Sequence, residues 1–195
     1  MKKIAFFDFD GTITTKDSMV QFIFYCFGTF KTIKGFIYLS PIMIGYKLKI
    51  IKNHTAKRIL LRFFFKNYPK KKFDEKAISF SKNKLPLIIN RAAMSKIEWH
   101  QKKGHAVVVV TASIENWVKP WCDKKSLKLI ATKLSFNKNN INKEIYIENC
   151  FGLEKVNRIK KLYDLSNYET IYAYGDSDGD REMLELADFS HYREF

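Results

Sequence analysis

Cysteine and histidine are scarce in this chain, and neither forms a pattern typical of a metal or redox site. The three cysteines, Cys26, Cys122 and Cys150, show neither a CxxC pair nor metal-ligand spacing. The four histidines form no recognisable constellation. This excludes a cysteine-based redox motif or metal cluster. We interpret the cysteines as buried thiols of a protein in a reducing compartment.

The chain also lacks a signal-peptide pattern and a long uncharged run. A strand pattern begins at Ile4, which leaves no room for a signal peptide before it, so we expect a cytoplasmic protein. The two strongly apolar uncharged stretches, 18–30 and 35–46, are shorter than the roughly 18 residues that a membrane-spanning helix needs. Peripheral contact with the inner face of the membrane stays open as an alternative.

Acidic residues are under-represented. The chain has 20 Asp and Glu against 35 Lys and Arg, which gives a formal net charge of +15. Such an excess favours anionic partners, namely nucleic acid, acidic lipid surfaces or phosphorylated substrates. The alternative is a lysine-rich surface that only solvates the protein. The 195 residues are 46% hydrophobic and 15% aromatic, which is enough apolar material for a compact core and excludes global disorder.

The most informative stretch is Phe6-Phe7-Asp8-Phe9-Asp10-Gly11-Thr12. Ile4 to Phe9 form an apolar run of strand length, and Gly11 ends it. Alternation along a strand predicts that Asp8 and Asp10 point to the same side. Two carboxylates this close are unfavourable without a cation beside them, so the pair predicts a functional site rather than a simple Asp-Gly turn.

The segment from Asp8 to Thr12 resembles the DxDGT signature of the haloacid dehalogenase-like phosphatases, and three further motifs of that family follow in order. Thr111 ends a run of four valines, and Lys155 closes Gly-Leu-Glu-Lys. Asp176 and Asp180 lie in the sequence Gly-Asp-Ser-Asp-Gly-Asp. Four motifs in order, spread over nearly the whole chain, make the match specific.

The resemblance implies a Mg²⁺-dependent phosphatase that forms an aspartyl-phosphate intermediate. It implies that Asp8 is the nucleophile and that Asp10 is the general acid and base. Mg²⁺ prefers oxygen ligands, and the resemblance assigns it the Asp8 carboxylate, the Asp10 carbonyl and Asp176.

The same resemblance implies how the phosphoryl group is bound. Thr111, the Ala112 N–H and Lys155 would hold its oxygens, because positive charge and N–H donors must surround a transferring phosphoryl group. Asp180 would orient Lys155 and the water shell of the metal ion.

The sequence allows two roles for each of four further residues. Asp17 lies where serine-phosphate phosphatases of the same subfamily have a substrate-binding acid, and it can also cap a helix. Asp178 is either a metal contact or a loop carboxylate. Arg58 and Arg62, on a basic helix, either meet a substrate phosphate or carboxylate or are solvated.

The order of patterns predicts an α/β fold with a doubly wound parallel sheet. Residues 14–85 are predicted to be helical, and the resemblance implies a small all-helical C1 cap inserted after the first strand. Residues 1–13 and 86–195 are predicted to form the catalytic core, in which strands alternate with helices. Parallel sheets bind ligands at the carboxyl ends of their strands, so Asp8, Thr111 and Asp176 are expected in one site.

Local patterns add two expectations. The turn-rich segment 137–142 lies between apolar segments at 134–136 and 144–147 and predicts a β-hairpin. The run 70–72, which is Lys-Lys-Lys, is interpreted as a solvated turn before a helix over 73–84.

The substrate is the open question. An early all-helical cap is shared with phosphoserine phosphatases of subfamily IB, whereas 149–156 and 174–184 resemble a branch of it that includes phosphatidylglycerophosphatase C. Three functions remain: hydrolysis of a lipid phosphate at the membrane, hydrolysis of a small soluble phosphate ester, or a basic nucleic-acid or membrane-binding protein with a vestigial site. The intact motif set disfavours the third, so nucleic acid is not the expected partner. The oligomeric state stays open.

Overall fold

The computed structural model describes residues 2–136 and 145–195, and six strands in these ranges form one sheet. They are β1 (Lys3–Phe7), β2 (Ala106–Ile114), β3 (Lys128–Phe136), β4 (Ile145–Glu148), β5 (Thr170–Gly175) and β6 (Phe189–Tyr192). Their order across the sheet is β4-β3-β2-β1-β5-β6. Only the β3–β4 pairing is antiparallel among these strands. The predicted α/β fold is confirmed.

The central strand β1 is buried on both faces. Ile4, Ala5, Phe6 and Phe7 have no exposed surface. Ala5 and Phe7 belong to one apolar cluster, and Ile4 and Phe6 belong to another. A strand that is apolar on both sides suits a parallel sheet covered by helices on both faces. The strand ends at Phe7, earlier than the predicted run, so Asp8 begins the loop that follows it.

Eight α-helices occur in the same described ranges. They are α1 (Ser18–Tyr38), α2 (Ser40–Lys47), α3 (Asn53–Phe65), α4 (Lys70–Asn83), α5 (Arg91–Lys102), α6 (Glu115–Lys124), α7 (Leu153–Leu162) and α8 (Arg181–Leu184). The first four lie between β1 and β2 in the chain and form the all-helical insertion that the sequence predicted. Within the described residues, none of the helices is both long enough and apolar enough to cross a bilayer.

Helix α1 has a buried half and an exposed half, separated at Gly28, whose φ of 73° and ψ of 172° are not helical. Before this break, Phe22 stacks on Phe65 and on Trp117, with ring centroids 5.7 Å and 4.6 Å apart. Trp117 lies on α6, so the insertion and the sheet share one apolar cluster. The predicted division into 14–85 and the remainder therefore stays a prediction.

Three local features bear on the sequence-based expectations. The lysines at 70–72 begin α4 instead of forming a turn, with Pro69 as the N-cap residue. The predicted hairpin is present as the antiparallel β3–β4 pair, and its tip at 137–142 lies outside the described residues. Strand β6 has only four residues and lies at the sheet edge, and its sequence pattern did not predict it.

Candidate active site

Three buried ionisable side chains, Asp8, Lys155 and Asp180, contact one another at the carboxyl end of β1. The Lys155 Nζ atom is 2.5 Å from an Asp8 oxygen and 2.5 Å from an Asp180 oxygen. It also donates a hydrogen bond to the Val110 carbonyl at 2.8 Å. Burial disfavours the ammonium, but the two carboxylates outweigh this effect and raise the pKa of Lys155. Lys155 is therefore a permanent cation beside Asp8.

The two carboxylates that contact Lys155, those of Asp8 and Asp180, differ in their surroundings. Burial raises the pKa of Asp8 well above its ordinary value, although the charge of Lys155 opposes this. Burial acts in the same direction on Asp180, but Lys155 and Ser177 outweigh it and lower the pKa of Asp180. The second Asp180 oxygen accepts hydrogen bonds from the Ser177 hydroxyl at 2.7 Å and the Ser177 N–H at 3.0 Å. Both Asp180 oxygens are thus engaged.

Asp176 completes an acidic cluster with Asp8 and Asp180. One carboxylate oxygen of each residue lies within 4.8 Å of the other two. The Thr12 hydroxyl donates a long hydrogen bond to Asp176 at 3.4 Å, and burial raises the pKa of Asp176. A Cβ atom at position 11 would overlap this carboxylate, and Gly11 has a φ of +85°. Glycine is therefore needed where the two loops meet.

This cluster fits a magnesium ion. Three carboxylates lie close together, and Mg²⁺ prefers carboxylate and carbonyl oxygens. Asp180 is already held by Lys155 and its own loop, which leaves Asp8 and Asp176 as the better donors of a side-chain oxygen. These are the two carboxylates that the sequence predicted as metal ligands.

The Asp10 side chain makes a separate set of contacts. One oxygen accepts a hydrogen bond from the Ser18 N–H at 2.8 Å, and the other accepts one from the Ser113 hydroxyl. Burial, followed by the charge of Asp17, raises the pKa of Asp10 to about 6. A carboxyl group that titrates near neutral pH can both give and take a proton. Asp10 and Asp8 line the same cavity.

The end of β2 after the valine run also reaches this cavity. The pairing of β2 with β3 is regular as far as Thr111, which pairs with Ala131, and shifts before Ile114, so Ala112 and Ser113 lie outside the regular ladder. The Thr111 hydroxyl accepts a hydrogen bond from the Ser113 N–H at 2.9 Å. Thr111 and Ala112 line the cavity together with Asp8, as the sequence predicted.

Lys57 is a buried cation that the sequence-based reasoning missed. Its Nζ atom donates hydrogen bonds to the Ala112 carbonyl at 2.5 Å and to the Asn149 side chain at 3.0 Å. Burial lowers its pKa to about 8, against the raising effect of Asp10 and Asp17. Helix α3 thus places a positive charge beside the irregular end of β2.

The predicted arginines of α3 lie elsewhere. Arg58 and Arg62 are exposed, and neither lines the cavity. Lys57 instead shares the buried face of the helix with Leu60 and Leu61. The sequence signal that could have identified Lys57 is the pair of leucines three and four positions after it, since these positions lie on one side of a helix and predict that Lys57 is on the buried side.

Asp17 and Asp178 have different positions. Asp17 accepts a hydrogen bond from the Val20 N–H at 2.9 Å, which confirms it as the N-cap of α1. It also lines the cavity, and its role in substrate binding stays a prediction. Asp178 pairs with Lys49 at 2.6 Å, and both side chains are largely exposed. It lies outside the acidic cluster, so its metal-contact interpretation has no support in the described structure.

The cavity that joins these groups has a volume of about 240 Å³. Its charged and polar end holds Asp8, Asp10 and Lys155. The inserted helices also contribute the polar residues Asn53 and Lys57. The apolar lining comes largely from the same helices: Met19, Val20, Met43, Tyr46, Ala56, Leu60, Ile114 and Phe151. The insertion therefore covers the carboxyl edge of the sheet and shapes the space next to Asp8.

Comparisons with known proteins agree with this architecture. A family model described as haloacid dehalogenase-like hydrolase matches residues 5–185. Protein CicA of Caulobacter vibrioides is 31% identical over 191 residues, which cover 97% of this chain and 85% of that protein.

Two solved structures share the fold at low sequence identity. A protein of unknown function from Bordetella pertussis has a TM-score of 0.82 at 18% identity, with 98% of this chain and 89% of that chain covered. A phosphoserine phosphohydrolase-like protein from Francisella tularensis has a TM-score of 0.71 at 18% identity, with coverages of 98% and 86%.

Proposed function

This chain belongs to the haloacid dehalogenase-like hydrolase family, and we propose that it is a Mg²⁺-dependent phosphatase that acts on a phosphate monoester. The observation that carries the proposal is the buried contact of Lys155 with Asp8 and Asp180, with Asp10 and Asp176 beside it. A carboxylate nucleophile, a proton-exchanging carboxyl and a fixed cation are the groups that phosphoryl transfer through an enzyme carboxylate requires.

In the first step, an Asp8 oxygen attacks phosphorus and the bond to the leaving-group oxygen breaks. Asp10 gives its proton to that oxygen, so the leaving group departs as an alcohol. The charge of Lys155 favours the carboxylate form of Asp8 against the burial that raises its pKa and, with Thr111 and the Ala112 N–H, balances the charge on the phosphoryl oxygens.

In the second step, water hydrolyses the aspartyl-phosphate on Asp8. Asp10, now a carboxylate, takes a proton from this water as its oxygen attacks phosphorus. Inorganic phosphate leaves and Asp8 is regenerated. When bound by Asp8, Asp176 and the Asp10 carbonyl, Mg²⁺ supplies positive charge next to the phosphoryl oxygens. Asp180 holds Lys155 in place throughout.

The leaving group is proposed to be part of a lipid phosphate, such as phosphatidylglycerophosphate. The support is the set of apolar side chains that the insertion contributes to the cavity beside Asp17, Asn53 and Lys57, among them Met19, Met43 and Leu60. At about 240 Å³, the cavity is smaller than the roughly 300–1,000 Å³ typical of sites for drug-sized ligands. It suits a headgroup-sized moiety while the acyl chains stay outside. Such a substrate agrees with the expected cytoplasmic protein in peripheral contact with the inner membrane face.

A small soluble phosphate ester is the alternative, because a cavity of this size would also accept one. The test compares phosphatidylglycerophosphate in mixed micelles with phosphoserine, glycerol 3-phosphate and p-nitrophenyl phosphate, each with Mg²⁺ and with excess chelator. Preferential release of phosphate from the lipid supports the full proposal. Preference for a soluble ester overturns its lipid part, and no release from any substrate overturns the phosphatase.

A further inference from the structure

The charged residues in most of the helical insertion are all basic. Residues 18–73 contain no Asp or Glu but have ten lysines and two arginines. Lys31, Lys34, Lys47 and Lys52 are all exposed. Lys49 pairs with Asp178 and Lys70 pairs with Asp74, but the segment that carries Lys31, Lys34, Lys47 and Lys52 supplies no acidic residue of its own, and an anionic surface attracts such a charge pattern.

The same segment exposes an unusual number of large apolar side chains. Of the fifteen exposed large hydrophobic residues in the described structure, eight fall between positions 30 and 63. They are Phe30, Ile33, Ile37, Tyr38, Ile44, Leu48, Ile50 and Phe63. Phe30, Ile33 and Ile37 follow the three- and four-residue spacing of one helix face. Single exposed apolar residues are common, but a concentration of this kind marks an interaction surface.

This surface is linked to the active-site cavity through α2. Met43 and Tyr46 line the cavity. On the same two-turn helix, Ile44 is 57% exposed, and Leu48, its C-cap residue, is 64% exposed. This short helix and its C-cap therefore form part of the cavity wall and carry exposed apolar side chains.

We propose that this surface binds the headgroup and upper acyl region of an anionic lipid bilayer. The docking surface is defined as Phe30, Ile33, Ile37, Tyr38, Ile44, Leu48 and Ile50, with Lys31, Lys34, Lys47 and Lys52. Its apolar side chains enter the bilayer interface and its lysines pair with lipid phosphates. That the bilayer also supplies the substrate rests on the proposed function. Docking itself does not depend on turnover.

Two other occupants fit less well. A symmetric contact between two copies would place the surface against itself, and its lysines would repel each other because no acidic residue lies between 18 and 73. A nucleic acid would use the lysines, but its phosphate backbone offers no partner for exposed aliphatic side chains such as Ile37 and Ile50.

The experiment is co-sedimentation of the whole protein with vesicles of phosphatidylcholine, alone or mixed equally with phosphatidylglycerol, at low and high ionic strength. We expect binding to the mixed vesicles that weakens with salt. Replacement of Ile37 and Ile50 together by Ser should lower the partition coefficient by about tenfold or more. Phe36 is left unchanged because its ring packs against Phe64 at 5.8 Å.

Matched controls separate docking from general surface effects. Leu87 and Leu162 are 74% and 64% exposed outside the insertion, and their joint replacement by Ser should leave binding unchanged. Reversal of Lys31 and Lys34 to Glu should reduce binding more strongly than the same reversal at Lys160 and Lys161, which lie at the end of α7.

Three results would overturn the proposal. They are no binding of wild type to anionic vesicles at low salt, equal loss of binding in test and control variants, or a stable dimer in sedimentation velocity that the Ile37 and Ile50 replacements dissociate. Hydrolysis of p-nitrophenyl phosphate by every variant is followed in parallel. Absent vesicle binding of the wild type with intact turnover refutes docking alone, whereas absent turnover of the wild type with intact vesicle binding refutes the phosphatase alone.

Discussion

The ammonium group of Lys57 and the carbonyl oxygen of Ala112 lie 2.5 Å apart, and this hydrogen bond joins helix α3 to the end of β2 that follows the valine run. The Thr132 hydroxyl donates to the same oxygen at 2.7 Å. Asn149 accepts from Lys57 and donates to Asn53, the first residue of α3. The position of the insertion is thus coupled to the backbone that is proposed to bind phosphoryl oxygens.

Replacement of Lys57 by Met should slow turnover without unfolding the protein. A hydrogen bond from a charged donor contributes about 1.5–3 kcal/mol, so we expect kcat/KM to fall about 10- to 100-fold. Stability should hold or rise, because the burial that lowers the Lys57 pKa to about 8 disfavours the cation. Arg58→Met is the matched control on the exposed side of α3, and its kinetics should equal those of wild type. Equal losses in both variants would contradict this role for Lys57.

Replacement of Asp8 by Asn should abolish turnover and preserve the fold. The substitution keeps the shape of the side chain but removes the nucleophilic carboxylate, and Lys155 retains Asp180 as its ionic partner. Activity and circular dichroism are measured together, with the exposed Asp178→Asn as control. Beryllofluoride with Mg²⁺ should bind wild type alone, as a mimic of the aspartyl-phosphate. More than a few per cent of wild-type activity in pure Asp8→Asn protein rules out Asp8 as nucleophile.

Chelation should stop the reaction, and Mg²⁺ should restore it. Ca²⁺ should inhibit, because its coordination is larger and less regular. Asp176→Ala should weaken Mg²⁺ binding in calorimetry and raise the Mg²⁺ concentration required for activity, whereas Asp178→Ala should change neither. Full activity in excess chelator would be incompatible with the proposed metal site.

Gly11→Ala should impair metal binding more than it impairs folding. The new Cβ atom would overlap the Asp176 carboxylate and displace a proposed ligand. Gly104→Ala is the matched control, because Gly104 also has a positive φ, of 73°, but no atom lies within 4 Å of its Cβ position. Both variants should lose about 1 kcal/mol of stability from backbone strain. Only Gly11→Ala should show weaker Mg²⁺ binding, and an equal effect in Gly104→Ala would refute the steric explanation.

Acid should destabilise the fold through His100. This buried ring contacts His105 at 2.8 Å and the Tyr174 hydroxyl at 3.0 Å. Burial, followed by the charges of His105, Lys96 and His191, lowers its pKa from 6.5 to about 4. The unfolded chain therefore binds this proton more readily, and stability that is present above pH 6.5 is lost as the pH falls towards 4. The loss is at most about 3 kcal/mol.

The measurement for His100 is urea unfolding of wild type and His100→Gln between pH 7 and pH 4. Carboxylates also titrate in this window, so the difference between the two proteins isolates the histidine. Wild type should lose more unfolding free energy than the variant. Parallel curves would show that His100 does not carry the effect.

The active-site motifs could be identified from the sequence because each is a local pattern. Asp8 lies near the end of one apolar run and Thr111 follows another. Asp176 follows one more predicted strand later in the chain. Strands of a parallel sheet share one carboxyl edge, so three local patterns were sufficient to predict a common site. The family, the fold class and the helical insertion followed from the same motifs and their order.

The sequence by itself did not determine which parts of the insertion are buried, because burial depends on residues distant in the chain. Lys57 reaches the cavity and its neighbour Arg58 does not, since Leu60 and Leu61 turn one face of α3 inward. Both halves of α1 are apolar, yet Phe22 is covered by Phe65 and Trp117 whereas Ile37 is 68% exposed. Tertiary packing alone made that distinction, because a side chain is buried only when a partner from another element covers it.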